Sequence, residues 1–176
     1  RGHVIVADSG NNRIQVFDSA DGSFVRQFGV HGTGPCQFDS PSGVAVDAAG
    51  HIVVADRNND RVQVVDEHGR FLHAIGGQGQ GQGQGWHAKP GSVTVVDAPQ
   101  DHVFVGEQYR SGVQVFDAQG RYVRFLGHGH GTQPGQFHNP WGVAVLAATG
   151  HVLVADRHNN RVQVFDGADG SFVGMF

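Results

Sequence analysis

Apolar and polar residues follow the same pattern in four segments of the chain, which start at residues 2, 50, 101 and 150. The segment at 150–166 reads GHVLVADRHNNRVQVFD. Each copy has an apolar run rich in β-branched residues, a short polar turn, a second run with strict alternation and a closing Asp. This pattern predicts a β-hairpin in every copy. Because the copies recur about every 50 residues, they indicate repeated units packed side by side.

Two further apolar runs accompany each hairpin. One follows it from a Gly turn, as in GRFLHAIG at 69–76, and another precedes the next hairpin, as in GVAVDAAG at 43–50. Four short strands joined by tight turns predict an antiparallel sheet of the size of a propeller blade. We name the strands of a blade a to d in chain order. The chain then holds strands b, c and d of one blade and three complete blades. The predicted blade pieces are 1–28, 43–75, 92–126 and 142–176.

The linkers from strand d to the next strand a are the longest irregular stretches. Two of them share a pattern, HGTGPCQFDSP at 31–41 and HGTQPGQFHNP at 130–140. We expect Phe38 and Phe137 to turn inward and fill the seam between successive blades. Trp86 aligns with them in the middle linker, where GGQGQGQGQG at 76–85 lacks apolar side chains and predicts a mobile, solvated loop.

These motifs resemble the NHL repeat. The resemblance rests on GxIxVADxxNxRVQVFD, then GxFVxxFG, then GxGPxQFxxPxGVAVD, and covers essentially the whole chain. It implies an all-β fold, a β-propeller of four-stranded antiparallel blades. Three complete blades plus three strands of a fourth would form an arc of a larger ring, with about six blades in the family. A compact four-bladed ring, closed imperfectly or completed by a partner chain, is the alternative.

Composition narrows the classes of function. The formal net charge is −4 with 12 histidines uncounted, so the chain lacks the overall basic character of many nucleic-acid-binding domains. The single cysteine, Cys36, excludes an intrachain disulfide. No apolar run approaches the roughly 20 residues of a membrane-spanning helix, so we expect no membrane partner.

An Asp ends strand b and an Arg opens strand c in three copies, as in Asp8/Arg13, Asp56/Arg61 and Asp156/Arg161. We interpret these as turn-fixing ion pairs, which contribute little if exposed. Asparagines between them tolerate left-handed backbone and favour a tight turn. The third copy, EQYRSG at 107–112, breaks the pattern and places Tyr109 and Arg110 in the turn.

Metal and catalytic motifs give weak signals. One His per blade recurs at the start of strand b, and such residues lie too far apart in a propeller to share one zinc ion. His128, His130 and His138 share one loop and form a better cluster, but H-x-H in a Gly-rich loop is weak. No phosphate-loop, GxSxG, CxxC or HExxH motif is present. We therefore predict no catalytic residue, no metal site, no cofactor and no small-molecule substrate.

The geometry of a four-stranded blade predicts which end of the blades would bind a partner. In an antiparallel blade, the b–c turns and the d–a linkers emerge at the same end. That end gathers Arg, Tyr and Trp, which are enriched at binding hot spots. The candidate partner-binding residues are Arg57, Asn58, Arg61, Trp86, His87, Tyr109, Arg110, Asn139, Trp141, Arg157 and His158.

The leading hypothesis is a non-catalytic recognition or scaffold module that binds a macromolecular partner, and the partner we expect is a protein. Single-stranded RNA binding is the alternative, since the resemblance extends to NHL propellers linked to tripartite motifs and the Arg/Tyr/Trp/His mixture could stack bases. A metal-dependent lyase or hydrolase is the third hypothesis. It would need His or carboxylates near the propeller axis, where strand a carries Val, Ala, Ser and Thr.

Overall fold

The computed structural model describes residues 2–76, 89–96, 102–108, 111–146 and 148–176. Strands dominate and form three four-stranded antiparallel sheets and one three-stranded sheet. The three-stranded sheet of blade 1 contains β1 (His3–Asp8), β2 (Arg13–Asp18) and β3 (Phe24–Phe28). The linker that follows contains the parallel pair β4 (Val30–His31) and β5 (Gln37–Phe38).

The three complete blades repeat one meander in which chain neighbours pair. Blade 2 contains β6 (Pro41–Val46), β7 (Ile52–Asp56), β8 (Arg61–Val65) and β9 (Phe71–Gly76). Blade 3 contains β10 (Pro90–Val96), β11 (His102–Glu107), β12 (Gly112–Phe116) and β13 (Tyr122–Leu126). Blade 4 contains β14 (Pro140–Val145), β15 (Val152–Asp156), β16 (Arg161–Phe165) and β17 (Phe172–Met175). The predicted all-β class, with three complete blades and three strands of a fourth, is confirmed.

Apolar side chains fill the seams between neighbouring blades. β-Branched residues from facing sheets form three buried clusters, one for each seam. The strand c pairs contribute strongly, since Ile14, Val16, Val62 and Val113 are fully buried. Innermost strands contact one another in chain order, with β6 against β10 and β10 against β14. Each blade thus covers the apolar face of its neighbour, as stacked repeats require.

Two phenylalanines from the linkers complete the seams. Phe38 packs in the cluster between blades 1 and 2, Phe137 in that between blades 3 and 4, and both are fully buried. Gly29 and Gly127 end the preceding strands with positive φ, and a Cβ on either would lie 2.6 Å from the phenylalanine ring. Both glycines are therefore needed for the rings to enter. The predicted inward position of the two rings is confirmed.

Among the described residues, none of the helices is long and apolar enough to cross a membrane.

Candidate functional site

Three of the b–c turns have the same backbone. A single 3-10 turn follows strand b, at Ser9–Asn11, Arg57–Asn59 and Arg157–Asn159. The next residue, Asn12, Asp60 or Asn160, then adopts φ of 51° to 54°. Asn and Asp tolerate this left-handed conformation better than most residues. The turn therefore reverses the chain tightly and leaves its first residue, Arg57 or Arg157, at the end of the blade.

The closing carboxylate of strand b is the centre of a buried hydrogen-bond network. Asp156 is completely buried, and its Oδ2 accepts bonds from Arg161 Nε at 2.7 Å, Asn159 Nδ2 at 2.8 Å and Gln163 Nε2 at 3.1 Å. Its Oδ1 accepts the backbone N–H of His138 at 2.7 Å. Asp56 in blade 2 is equally buried and makes the equivalent contacts, including one from the Asp39 N–H at 2.8 Å.

The Asp/Arg pairs are ion pairs at the turns, as interpreted from the sequence, but those of blades 2 and 4 are buried rather than exposed. The carboxylates have no solvent exposure there, and the arginine side chains are only 13% exposed. The pair is more open in blade 1, where Arg13 and Asp8 are 31% and 20% exposed. Burial follows from the linker, which covers the pair in blades 2 and 4.

Arg61 and Arg161 tie the linkers to the hairpins. The Arg61 guanidinium donates to the carbonyl oxygens of Thr33, Gly34 and Gln37 at 2.7 to 2.9 Å. Arg161 repeats this with the linker before blade 4. Gln63 Nε2 also donates to the Gln37 carbonyl, at 2.6 Å. Of the candidate residues, Arg61 is therefore engaged within the chain.

These contacts bring the b–c turns and the d–a linkers to one end of the blades. We call this end the upper face and define it by the turns at 9–12, 57–60 and 157–160 and the linkers at 29–40 and 127–139. Of the candidate residues, Arg57, Asn58, Asn139, Arg157 and His158 lie there, and Trp141, at the start of β14 just after the second linker, borders this face. Asn58 Nδ2 donates to Asp39 Oδ1 at 2.9 Å, and Asn139 Nδ2 lies 3.2 Å from His158 Nε2. Trp86, His87, Tyr109 and Arg110 lie outside the described residues.

Two arginines from different blades meet one indole on the upper face. The Arg57 Cζ lies 5.4 Å from the centroid of the Trp141 ring, and the Arg157 Cζ lies 5.5 Å from it. Both distances are within the roughly 6 Å of a cation–π contact. Arg57 Nη2 also donates to Gln108 Oε1 at 3.2 Å. The composition pointed to this mixture of residue types, but the sequence did not reveal that the three side chains meet or that Gln108 joins them.

Arg57 and Arg157 differ from the other arginines in their partners. Neither forms an ion pair or donates to a backbone carbonyl in the part of the chain that the structure describes. The remaining described arginines each donate to a carboxylate or a backbone carbonyl oxygen. They are Arg13, Arg26, Arg61, Arg70, Arg121, Arg124 and Arg161. Arg57 and Arg157, which have neither kind of partner among the described residues, both lie beside Trp141.

Histidines cluster at the outer part of the same face. The His138 ring contacts His130 and His158 edge to face, at centroid distances of 4.6 and 4.8 Å. The sequence suggested a cluster of His128, His130 and His138. In the structure, His158 rather than His128 contacts His138 together with His130. No set of three His, Cys, Asp or Glu side chains within the described ranges is arranged to hold a metal ion.

A cavity of about 270 Å³ opens at the opposite end of the blades, between blades 2 and 3. It is lined by His51, whose Nδ1 lies 2.8 Å from Asp47 Oδ2, and by His73. Burial, with repulsion from His51, lowers the pKa of His73 below its usual value. The cavity is smaller than typical ligand pockets of about 300–1,000 Å³. The upper face is therefore the stronger candidate site.

Comparison with known proteins finds one repeat family that matches three segments of the chain. The NHL repeat family matches residues 1–17, 38–65 and 137–165. The Drosophila melanogaster protein wech is 48% identical over 59 residues, 34% of this chain and 7% of that protein. The Caenorhabditis elegans RING finger protein nhl-1 is 54% identical over 44 residues, 25% of this chain and 4% of that protein. The matched part is thus a small fraction of these longer relatives.

Solved structures agree on the fold. Hydrazine synthase of Kuenenia stuttgartiensis matches 98% of the chain with a TM-score of 0.71 at 15% identity, over 45% of its own length. Virginiamycin B lyase of Staphylococcus aureus matches 99% of the chain with a TM-score of 0.68 at 12% identity, over 52% of its own length. The chain thus spans about half the length of these structures, and identities this low carry the fold alone.

Proposed function

Because the chain is a partial β-propeller built of NHL repeats, we propose that it is a non-catalytic recognition module that binds a protein partner through its upper face. Function on such folds resides in loops carried by a rigid scaffold. The network around Asp56 and Asp156 supports this role, since it fixes linkers and turns in one arrangement. A fixed surface loses less conformational entropy when a partner binds.

The observation that carries the proposal is the group formed by Arg57, Trp141 and Arg157. Arg and Trp are the residue types that most often dominate binding energy at protein interfaces. The two guanidinium groups lie 5.4 and 5.5 Å from the indole centroid and form no ion pair within the described chain. By contrast, Arg70 and Arg121, in turns at the opposite end of the blades, form ion pairs with Asp66 and Asp117. Charges held beside an aromatic ring fit an external ligand better.

Catalysis is not part of the proposal. The likeness to virginiamycin B lyase rests on 12% identity and therefore transfers no chemistry to this chain. Val44, Val93 and Val143 of the innermost strands pack in the seams between blades and supply no acid–base or metal-binding group.

Photo-crosslinking in cells tests the proposal on the full-length protein. A photoreactive phenylalanine analogue replaces Asn58 or His158, both exposed on the upper face, and in control variants it replaces Ala118 or Ala168, exposed in turns at the opposite end. We expect a protein adduct from the upper positions that the controls lack. The purified partner should then bind the chain more weakly after Tyr109 and Arg110 are both replaced by Ala, with the circular dichroism unchanged. Adducts from the controls alone would refute the proposal, and adducts to RNA would replace it by the RNA-binding alternative.

A further inference from the structure

We propose that the group Arg57, Trp141 and Arg157 binds a carboxylate of an acidic peptide segment, with the indole as the stacking surface beside it. This inference rests on the proposed function and specifies the chemistry of the partner. We call the three side chains the Arg–Trp–Arg group. Three features support carboxylate binding by this group: the positions in which the repeat places the residues, the hydrogen-bond donors that remain available and the number of positive charges on the face.

The repeat places two sets of positions next to each other at the upper end of each blade. The prolines that begin the inner strands pair with the closing acids, Pro41 with Asp56 and Pro140 with Asp156. The residue after the proline therefore lies near the residue after the acid. In blade 4 these are Trp141 and Arg157. In blades 2 and 3 the residues after the prolines are Ser42 and Gly91.

Blade 3 lies between Arg57 and Trp141 and joins the group through Gln108, which accepts a hydrogen bond from Arg57 at 3.2 Å. Gly91, the residue after Pro90, borders the same region, since a Cβ there would lie in ordinary contact, 3.4 Å from Gln108 Nε2 and 3.5 Å from the Trp141 carbonyl oxygen. Blade 2 therefore contributes Arg57, blade 3 contributes Gln108, and blade 4 contributes both Trp141 and Arg157.

The arginines retain donors for a ligand. A guanidinium that stacks on an aromatic ring interacts through its flat face, so the N–H groups at its edge stay free for hydrogen bonds. Within the described residues, the Arg157 side chain donates no hydrogen bond, and the Arg57 side chain donates one, to the amide oxygen of Gln108. Arg57 Nε is buried and has no acceptor. Arg57 and Arg157 each place a guanidinium beside the same indole, and a guanidinium can bind a carboxylate bidentately.

The charge count favours an acidic peptide over RNA. Binding a single strand requires several cations that follow successive phosphates, whereas Arg57 and Arg157 contact the same ring and so serve one or two anions. The whole chain has a net charge of −4, but charges farther than about 8 Å are largely screened at physiological salt. Local positive charge on an otherwise acidic chain suits a short acidic segment.

Nuclear magnetic resonance on the intact 18.7 kDa chain provides the test. The Trp141→Phe variant assigns the Trp141 indole N–H, and the Arg57→Lys and Arg157→Lys variants assign the arginine Nε–H signals. The probes are a capped triglutamate peptide, a triglutamine peptide of equal length and a hexauridine RNA. We expect the triglutamate peptide to shift these signals saturably and to bind about tenfold more tightly than triglutamine, as for a charge-assisted pair worth about 1.4 kcal/mol.

Charge-matched variants identify the residues responsible. Replacing Arg57 and Arg157 together by Gln should weaken triglutamate binding about tenfold or more. Replacing Arg70 and Arg121 together by Gln removes the same charge from the opposite end and should change the affinity less than about twofold. Both control arginines are ion-paired with Asp66 and Asp117.

The outcomes of these experiments test the carboxylate inference and the proposed recognition function separately. Equal shifts with triglutamate and triglutamine, or equal losses in the two double variants, would overturn the carboxylate assignment. Shifts with hexauridine alone would replace it by a nucleic-acid ligand. If no probe shifts the signals while crosslinks from residues 58 and 158 still capture a protein, the carboxylate inference is wrong and the recognition function stands. If those crosslinks also fail, both are wrong.

Discussion

Replacing Asp156 by Asn tests whether the buried acid network, rather than local turn preference, holds the upper face together. Asn has the same shape as Asp but carries no charge and turns one acceptor atom into a donor. Asp156 accepts four hydrogen bonds, three at Oδ2 and one at Oδ1. In either orientation, the new NH₂ group of Asn must face at least one of these donors.

The contacts of Asp156 set the expected loss in the free energy of unfolding. Breaking a fully buried ion pair costs about 3–5 kcal/mol, whereas an exposed pair contributes about 0–1 kcal/mol. Asp156 is completely buried and Arg161 is 13% exposed, so we expect a loss near the lower end, about 3 kcal/mol. For a chain of this length, a loss of about 3 kcal/mol lowers the melting temperature by about 6–12 °C.

Urea unfolding followed by circular dichroism measures the change, with the slope compared between variants to verify that the same surface unfolds. The matched control is Asp8→Asn, the same substitution in the same motif at a more exposed carboxylate, which should cost clearly less. Equal losses for the two substitutions, or a loss below about 1 kcal/mol for Asp156→Asn, would refute the buried-network argument.

Two further predictions concern other parts of the fold. Phe137→Ala should cost about 3–5 kcal/mol in urea unfolding, because the ring is fully buried at the seam between blades 3 and 4; Phe176→Ala, at a side chain that is 77% exposed, should cost far less, and similar losses would contradict the seam assignment. The backbone N–H of Arg70, assisted by its guanidinium and the His68 N–H, lowers the pKa of Asp66 to about 2. Asp66 therefore stabilises the fold above its unfolded pKa of about 4, and this contribution disappears as the pH falls through about 2. The stability difference between wild type and Asp66→Asn should shrink over that range, and a difference independent of pH would contradict the assignment.

The sequence predicted those features of the fold that depend on the local alternation of apolar and polar residues. Alternation in strand c fixed one face as apolar, and Ile14, Val62 and Val113 are indeed buried. The same alternation says only that the intervening Gln occupies the other face. Gln63 and Gln163 are fully buried there, because each binds a linker carbonyl 26 or 27 residues away. A periodic pattern contains no information about such a distant covering segment.

The arrangement of the candidate site could not be predicted from sequence patterns. Arg57 and Trp141 are 84 residues apart in the sequence and meet across blade 3, whose Gln108 accepts a hydrogen bond from Arg57. That contact depends on the relative placement of three blades. Residue type alone grouped Arg57, Arg61 and Arg157 together. The structure separates them by their partners, since Arg61, like Arg161, binds linker carbonyls, whereas Arg57 and Arg157 bind no carbonyl of the described residues.

This division explains how one repeat can keep its fold while its binding surface varies. The acid that ends strand b and the Arg that opens strand c are fixed by mutual contacts, which a substitution at either position would break. The residue directly after the acid is Ser9, Arg57, Gln108 or Arg157 in the four blades, and its side chain lies outside the acid network. Substitutions there can change the chemistry of the upper face at little cost in stability, since surface changes away from packed or networked groups usually stay within about 0.5 kcal/mol. The position after the acid is therefore where the repeat can acquire specificity, and in this chain two of its four copies are arginines directed at one tryptophan.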